Sequence, residues 1–181
     1  FGSISLNPKD VHQWAVSAFF AKKDSVGAIP VLIEAVKASP DEPYFLVNLV
    51  NIYQQSGKEA EANKLLDDRL AANPQDATAL LVKGSILEDK DLKSALGWYY
   101  KAAKADPSNT NAFIYLGAGL YNAAAKLYEN SEVTQATSKM ANDLLKAALP
   151  ALEIAYKSRP DNIKGILGSI YYQMDMKDKR E

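Results

Sequence analysis

The residues of this chain best equipped for chemistry are few and scattered. His12 is the sole histidine and there is no cysteine, which removes thiolate nucleophiles, disulfides and sulfur metal ligands. One imidazole cannot assemble a His-based metal site or a paired general base, so His12 reads as an ordinary residue of the first helix. Neighbouring carboxylates occur at Asp67 with Asp68 and at Glu88 with Asp89. Acid–base work would need them in a dry pocket, and in helical sequence they read as solvated faces. No phosphate-binding loop or nucleophile elbow is present, and Gly165 to Ser169 reads as helix with small packing residues. Tyrosines invite sugar stacking or a cofactor, yet Tyr53, Tyr99, Tyr115 and Tyr156 fall on or beside core-facing positions. The expectation is a non-catalytic chain with no metal and no cofactor.

Composition narrows the partners. Twenty-one basic against 22 acidic residues give a net charge of -1, so no polybasic surface offers itself to a nucleic-acid backbone or anionic lipid. Apolar residues make up 48% of the 181, enough for a well-formed core. No run reaches the roughly 18 apolar residues that would span a bilayer. The chain opens at Phe1 rather than Met, which reads as a fragment or a processed product whose signal peptide would lie upstream.

The elements that must position any site follow from four prolines. Pro40, Pro74, Pro107 and Pro160 close Ala- and Leu-rich amphipathic runs, at spacings of 34, 33 and then 53 residues. A fixed period of this size marks stacked helical units that cannot bury their apolar faces alone. Twelve residues before the prolines stand Ala28, Ala62, Ala95 and Ala148, and eight before stand Leu32, Leu66, Tyr99 and Leu152. Five before stand Ala35, Arg69, Ala102 and Ala155. Small, large and small at these intervals share one helical face, a knob between two notches.

The first half of each block carries a second amphipathic helix, as in Leu46, Leu49, Val50 and Tyr53, or Phe113, Leu116, Gly117 and Leu120. A mid-helix glycine costs up to about 1 kcal/mol, so Gly84 and Gly117 imply close approach of a paired helix. Gly57 falls at the turn inside its block, and Asp91 at the equivalent, shorter turn. The polar residues after each proline, Asp41, Gln75 with Asp76, Ser108 with Asn109, and Asp161 with Asn162, read as N-caps of the next helix.

In spacing, small positions and proline phase, residues 10 to 160 resemble tetratricopeptide repeats. The resemblance implies an all-α, right-handed α-solenoid of stacked antiparallel helix pairs, in about four and a half repeats. As a single domain over residues 1–181, the repeats would fall at about 10–40, 41–74, 75–107 and 108–160, with 161–181 as a capping or truncated helix. Val16 and Phe19 stand where the family has Gly and Tyr, and Arg69 replaces a small residue.

The fourth repeat is 19 residues too long, and the surplus lies between its two helices. Asn130, Ser131 and Glu132 carry a turn and N-cap signal. Phe113, Leu116, Leu120, Ala124, Leu127 and Tyr128 form one stripe before it, and Val133, Met140, Leu144, Ala148 and Leu152 another after it. Both helices are therefore expected to grow by nine to ten residues into a long, protruding helical hairpin. Pro150 would then lie mid-helix and interrupt the backbone bond to Lys146, with a bend there.

The resemblance also implies a function: a protein- or peptide-binding scaffold whose first helices line a concave groove. Carried over by position, the groove residues are Gln13, Ser17 and Phe20 in the first repeat, and Tyr44, Val47, Asn51, Gln54 and Gln55 in the second. The third supplies Leu81, Ser85, Glu88 and Asp89; the fourth supplies Asn111, Ile114, Ala118, Tyr121 and Asn122. Side-chain amides both donate and accept, which suits an extended peptide backbone. The carboxylate clamp of chaperone-binding members is missing: only Asn48 and Asn51 match it, and Thr78, Val82, Asn111 and Tyr115 stand where cations belong. The alternatives are self-association or docking through Leu127, Tyr128 and Val133 at the hairpin tip, and a glycan- or ligand-binding domain. The resemblance favours an exported bacterial protein over a cytoplasmic one.

Overall fold

The computed structural model describes residues 7–40, 42–130 and 132–174. Among these the chain is all helical, with nine helices and no strand. Two compact units divide at Pro74 and Gln75.

The first unit holds α1 (Pro8–Ala21), α2 (Ile29–Ala38), α3 (Pro43–Gln55) and α4 (Glu59–Ala72). Asn7 caps α1 by accepting from the Lys9 N–H at 3.0 Å, and Pro8 sits at the first turn, where its missing N–H is harmless. Glu42 caps α3 and accepts an ion pair from Lys9 of α1. The hydrogen bond from Lys9 holds the Glu42 carboxyl below its ordinary range, so this bridge contributes at neutral pH and is lost as the pH falls through that lowered value. Asp41, expected to cap, lies outside the described residues. Gly57 turns the chain from α3 to α4 at φ +69°, in the left-handed region that suits glycine.

The second unit holds α5 (Ala77–Leu87), α6 (Leu92–Ala105), α7 (Thr110–Asn130), α8 (Gln135–Ser158) and α9 (Pro160–Gln173). Asp76 caps α5 through the Ala79 N–H at 2.9 Å, and Asp91 caps α6 through Ser94 at 3.1 Å. Asn109 accepts from the Ala112 N–H at the start of α7.

The knob-and-notch pattern is the core. Of the twelve residues that define it, all but Arg69 are at most 1% exposed. Arg69 stays half-buried and sends its guanidinium back 29 residues to the Pro40 carbonyl at 2.8 Å, tying α4 to the end of the first repeat. Gly84 meets the Tyr99 ring, and Gly117 meets Leu152, so closely that an added Cβ would stand 2.5 Å from either. Both knobs seat in glycine notches of their own pair, as the sequence implies.

The 19 extra residues are helical on both sides of the turn. α7 and α8 each exceed the preceding pair by ten residues, 21 against 11 and 24 against 14, about 15 Å of additional helix. On α8, Ala148 and Leu152 are buried as expected and Leu144 packs half-buried against the core, while nearer the tip the buried positions shift by one residue. Ala141, Leu145, Ala148, Leu152 and Ala155 are buried, while Val133 and Met140 are exposed. Alternating alanine and leucine lets the two backbones approach, which a Met at the same level would prevent. Thr134 opens α8 with a capping box to Thr137; Ser131 lies outside the described residues. Helix α8 continues through Pro150 from Gln135 to Ser158 rather than starting at Ala147.

Pro160 departs from its predecessors. Only Arg159 separates α8 from α9, and the proline opens α9 at its first turn, so Asp161 and Asn162 lie inside the helix instead of capping it. Ile163, Leu167, Ile170 and Tyr171 turn one face of α9 into the core, and the face bearing Lys164, Gly165 and Tyr172 is exposed. The charged residues 177–181 lie outside the described residues.

Candidate functional site

The candidate groove residues belong to first helices, on the faces left over once the core is satisfied. In α3 the buried set is Phe45, Leu46, Leu49, Val50 and Ile52, which turns Asn51 and Gln55 out to solvent and leaves Tyr44, Val47 and Gln54 half-buried. Tyr44 stands edge-on to Phe45 at 5.5 Å. In α1, Gln13 and Ser17 are exposed and Phe20 is half-buried. The Ser17 hydroxyl donates to the Gln13 carbonyl at 2.8 Å, so its donor is used within the helix. The side-chain amides of Gln13, Asn51, Gln54 and Gln55 form no hydrogen bond with the described residues. They are the available polar groups among the groove candidates of this unit.

In the second unit more of the candidates are already engaged. Glu88 accepts the Tyr99 hydroxyl at 2.7 Å, and Asn111 accepts from the Arg159 guanidinium at 2.8 Å. Ser85 donates to the Val82 carbonyl at 2.8 Å. Ile114 and Tyr121 pack against the core, Leu81 and Ala118 are half-buried, and Asn122 is exposed. Glu88, Asp89 and Asn122 do converge, with Lys126 and Glu129, on a shallow polar cleft of about 220 Å³. At the hairpin tip Leu127 packs inward, while Tyr128 and Val133 are exposed, Val133 by 69%.

Among the described residues no three His, Cys, Asp or Glu side chains gather as metal ligands. His12 lies half-buried with its ring edge-on to Phe45 at 6.2 Å. The tyrosines divide. Tyr99 is fully buried and Tyr53 half-buried, but Tyr115 and Tyr156 are 41% and 38% exposed, contrary to the core role read from their positions. Tyr115 leans on the Tyr99 ring instead, with the ring centroids 5.3 Å apart.

Burial, and then the bond to Glu88, raises the Tyr99 phenol well above its ordinary value. Burial, and then the bond to Glu153, pushes Tyr171 up to about 12 from 10.0. A raised folded-state pKa gives stability that is full below the ordinary value and lost as the pH rises toward the folded one. Alkaline unfolding is therefore expected to begin above pH 10 and progress toward 12. In ultraviolet tyrosinate titrations, Tyr171→Phe should remove one late-ionising phenol. An unchanged curve would contradict the burial described.

A larger cleft lies away from the groove candidates. Tyr100 and Lys104 of α6 face Ala147, Pro150 and Ile154 of α8 across a groove of about 620 Å³, with Phe113, Leu116 and Leu120 of α7 along its floor. At 100° per residue, those floor residues point away from Ala118, Tyr121 and Asn122, so the groove is on the opposite side of α7. The legible signal was Gly97, Tyr100, Pro150 and Ile154, apolar or small residues outside the repeat's core positions.

No described helix is long and apolar enough to cross a membrane. Residues 19–86 match the family model for tetratricopeptide repeats. The human protein O-mannosyl-transferase TMTC3 is 29% identical over 117 residues, 64% of this chain and 12% of that protein. Two solved structures share the fold. The human IFIT1 dimer with m7Gppp-AAAA has a TM-score of 0.62 at 20% identity, over 84% of this chain and 34% of that one. MamA residues 41 to the end from Desulfovibrio magneticus RS-1 has 0.55 at 18% identity, over 94% and 87%. The chain thus spans about an eighth of TMTC3 and a third of IFIT1. With its helix pairs, glycine notches and proline register, the chain shares the fold of tetratricopeptide-repeat proteins, whose family model it matches over residues 19–86.

Proposed function

We propose that the chain is a non-catalytic scaffold, each of whose two units holds an extended peptide segment of a partner protein against the exposed faces of its own first helices. The observation that carries this is the set of unengaged amides, Gln13, Asn51, Gln54 and Gln55 in the first unit and Asn122 in the second. Each both donates and accepts, which is what a peptide backbone requires. The m7Gppp-AAAA of the IFIT1 structure is not carried over, because a net charge of -1 supplies no overall excess of cations to neutralise phosphates. The transferase activity named for TMTC3 belongs to a protein of which this chain matches 12%. An exported bacterial setting remains part of the proposal, on family resemblance alone.

A photo-crosslinking amino acid at Asn51 or Asn122, with one at Lys139 as the control, tests the reading in extracts of the source cell. Discrete adducts at the first two positions and none at the third are expected. Equal labelling at all three would overturn it. The 69% exposure of Val133 at the hairpin tip supports a second reading, self-association. It predicts an oligomer by light scattering that Val133→Asp converts to monomer; a parent chain that is monomeric removes it.

A further inference from the structure

The groove between α6 and α8 has a counterpart inside the same chain, which serves as an internal control. In the first unit, a cleft of about 290 Å³ lies between α2 and α4 over α3. Glu61, Lys64, Leu65 and Asp68 stand 13, 10, 9 and 6 residues before Pro74, as Ala147, Pro150, Ala151 and Ile154 stand before Pro160. On the facing wall Ile33 and Lys37 correspond in the same way to Tyr100 and Lys104. One repeat position therefore occurs in two forms. In the first unit it is narrow and charged, and Lys64 pairs with Asp68 at 2.8 Å beside it. In the second it has twice the volume, and Ala, Pro and Ile replace the three charged residues.

The replacement leaves a specific imbalance. Lys37 shares its cleft with Glu61 and Asp68, whereas Lys104 lines a groove with no carboxylate. Lys104 forms no ion pair with the described residues. Tyr100 and Ile154 are 57% and 42% exposed beside it. Lys104 is itself exposed, so a carboxylate that pairs with it, and any apolar cover for Tyr100 and Ile154, would come from outside the groove.

We propose that this groove docks an amphipathic helix of a partner protein, with bulky apolar side chains in the trough and an Asp or Glu against Lys104. A helix fits better than an extended strand because it satisfies its own backbone, and these walls offer almost no partners for free N–H and C=O groups. Pro150 has no N–H to donate to the Lys146 carbonyl. The walls run from Leu96 to Lys104 and from Ala147 to Ile154, about 12 Å or two helical turns, which matches anchors at i, i+3 or i+4, and i+7.

The test is selection of a displayed library of helix-forming peptides against the whole chain. Enriched peptides should carry an apolar stripe flanked by a carboxylate. Ala147→Glu/Pro150→Lys/Ile154→Asp gives the second unit the residues of the first and should weaken those peptides at least about tenfold, since it puts charges into an apolar contact. All three side chains are exposed, so the circular dichroism spectrum should not change. If this variant unfolds, Lys104→Glu decides alone: it should reject the acidic peptide and accept its Lys-substituted version. Peptides that bind both variants as well as the parent overturn the proposal. So does oleate binding in the groove without any peptide, or a chain oligomer that the triple variant makes monomeric.

Discussion

Gly117→Val is expected to destabilise the second unit by about 3 kcal/mol, the upper end for overpacking a well-filled core. A Cβ at this position falls 2.5 Å from Leu152 Cγ and 3.3 Å from the Leu152 backbone nitrogen. The side chain could swing aside only if it had room, and Leu152 is fully buried among Ala148, Ala155 and Ile163. The backbone nitrogen cannot move without shifting α8. Replacing a helical glycine returns only a few tenths of a kcal/mol for valine, so the clash dominates. Gly165, whose Cβ would meet nothing within 4 Å, is the opposite case, and Gly165→Ala should stabilise by about 0.5–1 kcal/mol. Urea unfolding reads both. Adding Leu152→Ala to Gly117→Val should recover part of the loss, with a coupling of at least about 1 kcal/mol. Strictly additive losses would mean that the notch and the knob do not meet.

Why Gly117 and Leu152 were legible in advance, and the groove was not, has a physical answer. A knob and a notch are each required by the other. The cost of an unexplained mid-helix glycine therefore points to a close neighbour, and the proline register says which helix supplies it. The same reasoning located the surplus in the fourth repeat and its equal division between α7 and α8. It failed wherever a choice depended on one residue of rotation. Met140 and Ala141 both fit an apolar stripe, and only the close approach of the backbones selects alanine. Helix starts failed for a different reason, since polar residues at several neighbouring positions can cap: α8 is capped by Thr134, and α9 opens at Pro160 itself. Site residues suffered more, because their availability depends on partners distant in sequence. Nothing near Asn111 announces Arg159, 48 residues on, and Glu88 is engaged by a tyrosine that the pattern assigned only to the core. The groove of α6 and α8 needed a comparison between repeats at positions that the family pattern leaves blank.

Pro150→Ala is expected to make the protein more stable by about 2 kcal/mol, most of the roughly 3 kcal/mol that separates proline from alanine in a helix interior. Pro150 lies within an unbroken helix, Gln135–Ser158, and its ring leaves the Lys146 carbonyl without its helical donor. The equivalent residue in α4 is Lys64, mid-helix in sequence terms but able to donate its own N–H. In α2 it is Pro30, in the first turn, where nothing is lost. Only in the fourth repeat, where α8 grew backward past this position, does the proline meet an established helix. Its side chain is exposed, so no core contact offsets the cost. What it does supply is part of the wall of the 620 Å³ groove. The variant should therefore gain stability in urea while binding groove-directed helices several-fold more weakly, since about one ring of apolar contact is lost. Unchanged stability would mean that α8 has already absorbed the missing bond by bending. Higher stability with unaltered binding would remove Pro150 from the docking surface and leave that surface to Tyr100, Lys104 and Ile154.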